Sequence, residues 1–282
     1  MKLGVSMWSY VHPWREGKLS IADFIREAKR IGADGVELLD FFYRDAEVDR
    51  AAAMRALEET GLPCAVFSVA QNFAKADPAE RAAELTKIRF GVDEAVQYGA
   101  KVVRVFAGDV AADGPSLEQA REWIVDGLVA AANYAQTKGV VLALENHGKL
   151  AGRGDQVRGL ITDVRAKCGH DTLGANPDTG NFILVGQPSE AAIREIAAWA
   201  NMVHFKDFAP APAGHTGFAY ESLAGEKFVG TAVGEGAVDL PACIRELKAA
   251  GFDGWMNVEY EAEEDPFTGV TRSMENARRL IS

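Results

Sequence analysis

Three carboxylates and one imidazole stand at the ends of four strand-like runs of the sequence. They are Glu145 in ALENHG, Asp178 in NPDTGN, His204 in VHFKD and Glu259 in NVEYE. If these runs are parallel strands of a barrel, their ends open at one mouth and the four side chains converge there. Converging carboxylates are costly without a counter-charge, and a divalent cation removes that cost. The pattern therefore predicts a single metal site with these four residues, the ligand quartet, as its ligands.

The strands needed to position the ligand quartet recur along the whole chain. Eight β-rich runs are predicted, at residues 3–8, 35–39, 64–69, 102–107, 140–145, 173–176, 202–205 and 255–259. Helical periodicity separates them, most clearly over 20–31, where Ser20 and Asp23 have the spacing of a capping box. Ser116 and Gln119 have the same spacing before a helix that runs to about residue 137. Other helices are predicted at 46–59, 79–97, 156–167, 189–200, 240–250 and 271–281.

This alternation predicts an α/β fold, a (β/α)₈ TIM barrel that fills residues 1–282 as a single domain. The length of 282 residues suits such a barrel, which has about 250. A doubly wound open sheet is the alternative, and the lack of a glycine-rich dinucleotide fingerprint after any strand argues against it.

One connection is unusually long. Residues 208–236 contain APAPAG and GEG and separate the seventh strand from the last unit that bears a helix. Loops of this length without structure are uncommon unless they are functional. In a barrel this segment would overhang the mouth, so we predict a lid or substrate-recognition loop there. A disordered insertion is the alternative.

Composition and charge exclude several classes of function. The 30 basic and 41 acidic side chains give a net charge of −11, which repels a phosphate backbone and argues against nucleic-acid binding. Cys64, Cys168 and Cys243 are far apart and show no CxxC spacing, so buried thiols in a reducing compartment are expected. Neither a signal peptide nor a membrane-length apolar run is evident, and we expect a cytoplasmic protein with no membrane contact.

Five segments in this order, ALENHG, DTGN, VHFKD, GEGAVDL and GFDGWMNVEYE, resemble the xylose-isomerase-like superfamily of sugar isomerases and epimerases. The resemblance covers essentially the whole chain, and the superfamily includes ketose 3-epimerases, inosose dehydratases and an apurinic endonuclease branch. It implies that the ligand quartet holds one divalent ion. It also implies that Glu145 and Glu259 face each other across the substrate as an acid/base pair. A small-molecule sugar or keto-sugar substrate and a homo-oligomer, dimer or tetramer, are further implications.

The implied chemistry agrees with the residue types. Isomerising or epimerising a sugar removes a proton next to a carbonyl, and a cation stabilises the enediolate that forms. Oxygen ligands with one imidazole suit Mn²⁺ or Mg²⁺, with Zn²⁺ or Co²⁺ as alternatives.

The chain also departs from individual branches of the superfamily. Ketose 3-epimerases usually carry a histidine three residues after the aspartate ligand, where this chain has Asn181. They also place an arginine shortly after the histidine ligand, where this chain reads HFKDFAP. The HxKD pattern is more similar to a broad group that includes dehydratase-like and keto-sugar lyase-like members. The endonuclease branch needs three metals and extra histidines on the second and third strands, which GVELLDFF and CAVFSV lack.

Two further residues are candidates for catalysis. His147 lies two residues beyond Glu145, which places it on the same face of an extended strand. We expect it to act as an acid/base or to contact substrate, with simple packing in the loop as the alternative. Lys206 is expected to orient substrate oxygens or stabilise an enolate. The alternative for Lys206 is a salt bridge to Asp207 or to a neighbouring carboxylate.

Six residues are candidates for contact with substrate. Glu37 and Arg104 are expected to hold sugar hydroxyls or, alternatively, to form an ion pair inside the mouth. Trp8 and Phe106 would form an apolar wall against a sugar ring, although aromatic residues at strand ends are also ordinary packing. Asn181 and Glu235 are included because of the motifs DTGN and GEG.

Three hypotheses on function follow. The first is a divalent-metal-dependent isomerase or epimerase of a small sugar, with proton transfer through Glu145 and Glu259. The second is a dehydratase or 3-keto-glycoside lyase, in which His147 or Lys206 serves as base or leaving-group acid. The third is a non-catalytic sugar-binding subunit, against which the intact ligand quartet argues.

Overall fold

All eight predicted strands form, and they pair in parallel into a nearly closed barrel. The computed structural model describes residues 1–110 and 114–282. The strands of these residues are β1 Lys2–Ser6, β2 Gly35–Leu39, β3 Cys64–Ser68, β4 Val102–Val105, β5 Val141–Glu145, β6 Leu173–Asn176, β7 Met202–Phe205, β8 Asp207–Pro210, β9 Tyr220–Glu221, β10 Lys227–Thr231 and β11 Trp255–Val258. The barrel order is β6-β5-β4-β3-β2-β1-β11-β7. The predicted TIM barrel is confirmed.

The ring of strands is completed between β6 and β7 by isolated parallel bridges instead of a continuous ladder. These bridges join Ala175 to Ala200 and Asp178 to His204. Elsewhere the barrel is paired over several residues, as in β11 and β7, where Trp255–Val258 lies in register with Met202–Phe205.

Helices separate the strands, as the periodicity predicts. Those in the described ranges are α1 Val11–Arg15, α2 Ile21–Arg30, α3 Ala46–Thr60, α4 Pro78–Tyr98, α5 Leu117–Thr137, α6 Gly154–Cys168, α7 Asn181–Leu184, α8 Ser189–Ile196, α9 Leu240–Ala249 and α10 Pro266–Ile281. Both expected capping boxes are present, at Ser20 and Ser116. Helix α10 begins five residues earlier than predicted, because Asp265 caps it and Pro266 suits its first turn. The short helices α1 and α7 were not predicted.

The interior of the barrel has to accommodate buried polar side chains near the mouth. Gly4 on β1 lies in register with Asn257 on β11, and a Cβ at Gly4 would overlap the side chain of Asn257. The glycine thus leaves room for a buried amide that reaches Glu37 on β2. Lower in the sheet the packing is apolar, with a cluster of Ala65, Val66, Val102, Ala143 and Met202.

The long connection after β7 folds into a small sheet of its own. Strands β8, β9 and β10 are antiparallel in the order β8-β10-β9, with Val229 opposite Ala209 and Phe228 opposite Tyr220. The sequence did not predict these strands within residues 208–236. The expected role of these residues as a lid or recognition segment stays a prediction. We call residues 208–236 the insertion.

The buried carboxylate of Asp207 fastens the insertion to the barrel. Its Oδ2 accepts hydrogen bonds from the backbone N–H groups of Gly234 (3.0 Å) and Gly236 (2.9 Å), and its Oδ1 accepts one from Val238 (3.2 Å). A Cβ at Gly236 would lie 2.5 Å from the carbonyl oxygen of Phe208, so this position needs glycine. The GEG motif therefore has a structural role at this joint.

We expect the Asp207→Ala variant to release the insertion. It leaves three backbone donors without their acceptor, at about 1–3 kcal/mol for each that is buried. Limited trypsin digestion should then cleave after the exposed Lys227 several times faster than in the wild type. Asp239→Ala is the matched control, since Asp239 caps α9 and is not bonded to the insertion. Equal cleavage rates in the Asp207→Ala variant and the control would contradict the role of Asp207.

Two other sequence expectations concern cysteines and membranes. All three cysteines are free thiols, of which Cys64 and Cys243 are buried and Cys168 is partly exposed. Burial raises the pKa of Cys64 to about 12, which keeps this thiol protonated and unreactive. Among the described residues, the helices are too short or too polar for any of them to cross a membrane.

Candidate active site

The structure brings the ligand quartet together at the carboxyl ends of neighbouring strands. Glu145 ends β5, Asp178 follows β6, His204 lies in β7 and Glu259 follows β11. One ligand atom from each lies within 4.8 Å of the others, and all four residues are buried. The Nδ1 atom of His204 lies 3.2 Å from Glu145 Oε2, 3.7 Å from Glu259 Oε2 and 3.8 Å from Asp178 Oδ2.

Two buried polar atoms in this cluster form no hydrogen bond, and their positions fit a divalent ion. Asp178 Oδ2 and His204 Nδ1 are buried and form no hydrogen bond among the described residues, although the ammonium of Lys206 lies 3.0 Å from Asp178 Oδ2. Buried polar atoms without a partner are rare and costly. Both atoms face the same point as the carboxylates of Glu145 and Glu259. A set of three carboxylate oxygens and one imidazole nitrogen suits Mg²⁺, Mn²⁺ or Zn²⁺.

Glu37 on β2 determines which nitrogen of His204 is available as a ligand. His204 Nε2 lies 3.0 Å from both carboxylate oxygens of Glu37. Nε2–H therefore donates to Glu37, and Nδ1 is the nitrogen that faces the cluster and can ligate an ion once it is deprotonated. Ser68 Oγ and Asn257 Nδ2 hold the two oxygens of Glu37 at 2.6 Å and 2.9 Å. Such carboxylate–histidine pairs orient the histidine and raise its basicity as a metal ligand.

We expect Glu37→Gln to lower the affinity for Mn²⁺ by about 10–100-fold. In the glutamine an N–H₂ group replaces one of the two carboxylate oxygens. This N–H₂ group would face two other donors, either Ser68 and His204 or Asn257 and His204. Isothermal titration calorimetry with Mn²⁺ measures the change without any assay of activity. The control is Glu94→Gln, which alters a buried carboxylate held by Arg50 outside the cluster. An unchanged affinity in Glu37→Gln would show that Glu37 does not support the site.

The charges in the cluster produce a strongly negative potential. Burial alone would lower the pKa of His204, but the carboxylates of Glu37, Glu259 and Glu145 outweigh it and raise that pKa well above its usual value. Burial raises the pKa of Asp178, and Glu145 and Glu259 add to the rise against the opposing charge of Lys206. When His204 loses its Nδ1 proton to ligate an ion, Arg104 and Lys206 are the cations that face five carboxylates, which are Glu37, Glu145, Asp178, Glu259 and Glu261. A divalent cation compensates most of the difference.

The DTGN turn places Asp178 so that one of its oxygens faces the cluster. Asp178 Oδ1 accepts the backbone N–H groups of Gly180 (2.8 Å) and Asn181 (2.9 Å), which leaves Oδ2 directed at the cluster. Asn146 fixes the backbone of the turn, since its side chain bonds both the N–H and the C=O of Asp178. The aspartate is thus oriented before any ion binds.

Glu145 is held by cationic and amide donors. Arg104 Nε lies 3.2 Å from Glu145 Oε2, and Asn176 and Asn181 donate at 3.2 Å and 3.3 Å to its two oxygens. Burial favours a raised pKa for Glu145, but the charges of His204 and Arg104 reverse the shift, so the pKa is lowered. Glu145 is therefore ionised at neutral pH.

Lys206 bridges the cluster to a carboxylate that the sequence analysis missed. Its Nζ lies 2.5 Å from Glu259 Oε2, 3.0 Å from Asp178 Oδ2 and 3.2 Å from Glu261 Oε2. Glu261 also accepts hydrogen bonds from Trp8 Nε1 (2.6 Å) and from the hydroxyl of Tyr220 in the insertion (3.0 Å). The i, i+2 spacing from Glu259 in NVEYE was a signal for this residue.

Comparison with known proteins places the chain in a family. The sequence model described as "Xylose isomerase-like TIM barrel" matches residues 25–280. The chain belongs to the xylose isomerase-like TIM barrel family. It is 26% identical to the inosose dehydratase of Geobacillus thermodenitrificans, over 94% of this chain and 91% of that protein. It is 27% identical to the L-ribulose-5-phosphate 3-epimerase of Shigella flexneri, over 88% of this chain and 86% of that protein.

The fold of this chain is also similar to that of solved structures. The crystal structure of the IolI protein with a bound zinc atom has a TM-score of 0.79 and 17% sequence identity to this chain. The match covers 100% of this chain and 98% of that protein. At this identity the likeness shows the xylose isomerase-like fold alone.

The remaining candidates occupy different places around this xylose isomerase-like barrel. His147 is exposed, and its ring lies 4.5 Å from that of Phe106, while the guanidinium of Arg104 lies 4.1 Å from the Phe106 ring. Of the two roles weighed for Arg104, the structure places it in an ion pair inside the mouth. Glu37 is likewise fully committed to His204, Ser68 and Asn257.

Glu235 is placed away from these contacts. Its carboxylate pairs with Arg272 of α10 at 2.7 Å, and this ion pair is partly exposed. The expectation that Glu235 contacts substrate stays a prediction. The second glycine of the motif, Gly236, has the structural role at the joint with Asp207.

Proposed function

We propose that this xylose isomerase-like protein is a divalent-metal-dependent sugar isomerase or epimerase. The observation that carries the proposal is the ligand quartet, whose four residues are buried and whose ligand atoms lie within 4.8 Å of one another. Three buried carboxylates at one point would otherwise be strongly unfavourable. Relatives of this chain that act as a 3-epimerase and as a dehydratase support an enzyme over a non-catalytic sugar-binding subunit.

Two carboxylates of the quartet are suited to moving the proton. Glu145 and Glu259 come from strands separated by β6 and β7, so they approach a bound sugar from different sides. In the proposed reaction one carboxylate oxygen removes a proton from the carbon next to the carbonyl, and the other returns a proton to the opposite face or the adjacent carbon. A bound divalent ion would supply Lewis-acid stabilisation of the negative charge on the sugar oxygens.

Other side chains would orient these two and keep water out. Arg104, Asn176 and Asn181 hold Glu145, and Lys206 holds Glu259 at 2.5 Å. Glu145, Lys206 and Glu259 are each less than 5% exposed, so the reacting atoms are shielded from solvent. The ammonium of Lys206 would stabilise charge on a sugar oxygen next to Glu259.

A dehydratase or keto-sugar lyase is the second candidate, favoured by the position of Lys206. The same proton removal would be followed by loss of water or of a glycosidic oxygen from the β-carbon. Lys206 Nζ lies between Glu259 and Glu261, where it can donate a proton to a leaving oxygen. The 26% identity with a dehydratase over 94% of the chain is consistent with this outcome.

Deuterium exchange distinguishes these functions. Protein loaded with Mn²⁺ would be incubated in D₂O with D-fructose, D-xylulose, L-ribulose, an inosose and methyl 3-keto-β-D-glucoside, and products followed by NMR and mass spectrometry. A product of equal composition that carries one deuterium on carbon identifies an isomerase or epimerase. A product that has lost water or methanol identifies the lyase. No exchange with any of these compounds would count against catalysis and favour the binding subunit.

A further inference from the structure

A cavity of about 730 Å³ adjoins the proposed site but is not part of the ligand quartet. Its walls come from three parts of the chain, namely the segment after β1, the insertion, and the connection from β11 to α10. This volume lies within the range of about 300–1,000 Å³ that is typical of ligand pockets. One sugar ring bound at the quartet would leave the cavity unfilled.

Hydrogen bonds connect the cavity directly to the acid/base pair. Trp8, Tyr220 and Glu261 line it, and both Trp8 Nε1 and the Tyr220 hydroxyl donate to Glu261. Glu261 in turn lies 3.2 Å from Lys206 Nζ, which lies 2.5 Å from Glu259. A ligand that contacts Glu261 in the cavity would therefore be separated from Glu259 by the side chains of Glu261 and Lys206.

Aromatic rings give the cavity its chemical character. Trp8, Phe218, Tyr220, Tyr260 and Phe267 all contribute to the wall. Phe218, at the tip of the insertion, is 64% exposed although its ring lies 4.8 Å from that of Tyr220. Its backbone N–H donates to Glu263 at 2.7 Å, which fixes the tip over the opening. Exposed large aromatic side chains beside a pocket are typical of a binding surface.

Carboxylates outnumber cations in the wall, which disfavours an anionic ligand. Five acidic side chains line the cavity, against the cations of Arg15 and Lys18 and the imidazole of His12. Glu16 pairs with Lys18 at 2.6 Å, and Glu264 pairs with Arg272 at 2.6 Å. Glu261 and Glu263 add negative charge and already accept hydrogen bonds from protein groups. A neutral ring with apolar faces and polar edges matches this lining better than a phosphate does.

We propose that the substrate is a glycoside, in which a second ring joined to the reacting sugar through an oxygen lies in this aromatic cavity. This inference rests on the proposed function, because it takes the first ring to be bound at the ligand quartet. The second ring is a neutral sugar or an aryl group, since both present flat apolar faces to the aromatic wall.

Matched ligands test the cavity without an assay of activity. Isothermal titration calorimetry on Mn²⁺-loaded protein would compare the methyl and phenyl β-glycosides of 3-keto-D-glucose, D-glucose and D-galactose, with cellobiose as the disaccharide. We expect at least one phenyl glycoside or cellobiose to bind about tenfold tighter than the matching methyl glycoside. In Phe218→Ala the preference should fall to less than about threefold. Leu223→Ala is the control, an exposed apolar residue of the insertion outside the cavity.

The outcomes separate the two proposals. Equal binding of methyl and two-ring ligands, absence of binding by all of them, or a preference unchanged in Phe218→Ala would overturn the second-ring site. Deuterium exchange into monosaccharides without a two-ring preference would remove the second-ring site and keep the isomerase. A two-ring preference lost in Phe218→Ala but not in Leu223→Ala, without any exchange, would support the site and remove the isomerase. Preference for phenyl alone identifies an aryl group, and preference for cellobiose identifies a sugar.

Discussion

The Glu259→Gln variant is expected to lose proton exchange by about 10²–10⁴-fold, the usual contribution of a positioned acid or base. The amide keeps the shape of the side chain and an oxygen toward the cluster but cannot take up or release the proton. It also loses the charge that pairs with Lys206 at 2.5 Å. The rate of deuterium incorporation into the best substrate of the D₂O screen is the measurement.

The metal content of this variant decides how the loss is interpreted. Glu259 is itself one of the ligand quartet, so bound Mn²⁺ should be determined by elemental analysis and the exchange rate measured at saturating Mn²⁺. Glu84→Gln is the matched control, because it alters a buried carboxylate held by Lys75 and Lys87. Wild-type exchange in Glu259→Gln at full metal occupancy would rule out the two-carboxylate mechanism.

The second large effect is expected for metal binding. Wild-type protein should bind about one Mn²⁺ per chain, and a concentration of 100 times the dissociation constant should stabilise it by about 2.7 kcal/mol. The Asp178→Asn variant should lose both effects, because an amide nitrogen replaces Oδ2, the atom that faces the cluster. The turn should be kept, since the amide oxygen can still accept the hydrogen bonds from Gly180 and Asn181. An N–H₂ group cannot ligate a cation.

Denaturation in urea with and without Mn²⁺ measures this coupling. The control is Asp265→Asn, which alters an aspartate that caps α10 and lies outside the ligand quartet. Mn²⁺ stabilisation that persists in Asp178→Asn, or that is missing from the wild type, would show that the quartet is not a metal site.

The barrel and the convergence of the quartet could be predicted from the sequence because both depend on local signals. Capping residues such as Ser20 and Ser116 mark helix starts, and most strand ends were placed within one or two residues. Once eight parallel strands are accepted, polar residues at their carboxyl ends must meet. Asp178 Oδ2 and His204 Nδ1, which are buried and form no hydrogen bond, are in accord with this expectation.

The partners of those residues could not be predicted in the same way. Glu37 was expected to hold sugar hydroxyls or to lie in an ion pair, and it orients His204, which is 167 residues away in the sequence. Periodicity gives the face of a strand on which a side chain lies but not the partner it meets across the barrel. The sheet within the insertion was missed for a related reason, since β10 is only partly buried and shows no clear alternation.

The incomplete pairing of β6 with β7 has a consequence for folding. The bridge from Asp178 to His204 is one of two isolated bridges across this junction, and both residues belong to the ligand quartet. An ion bound by Asp178 and His204 would link β6 to β7, where isolated bridges replace a continuous ladder. Metal binding and closure of the barrel between β6 and β7 are then thermodynamically coupled. A mutation that strains this junction would therefore lower the metal affinity even if it alters no ligand.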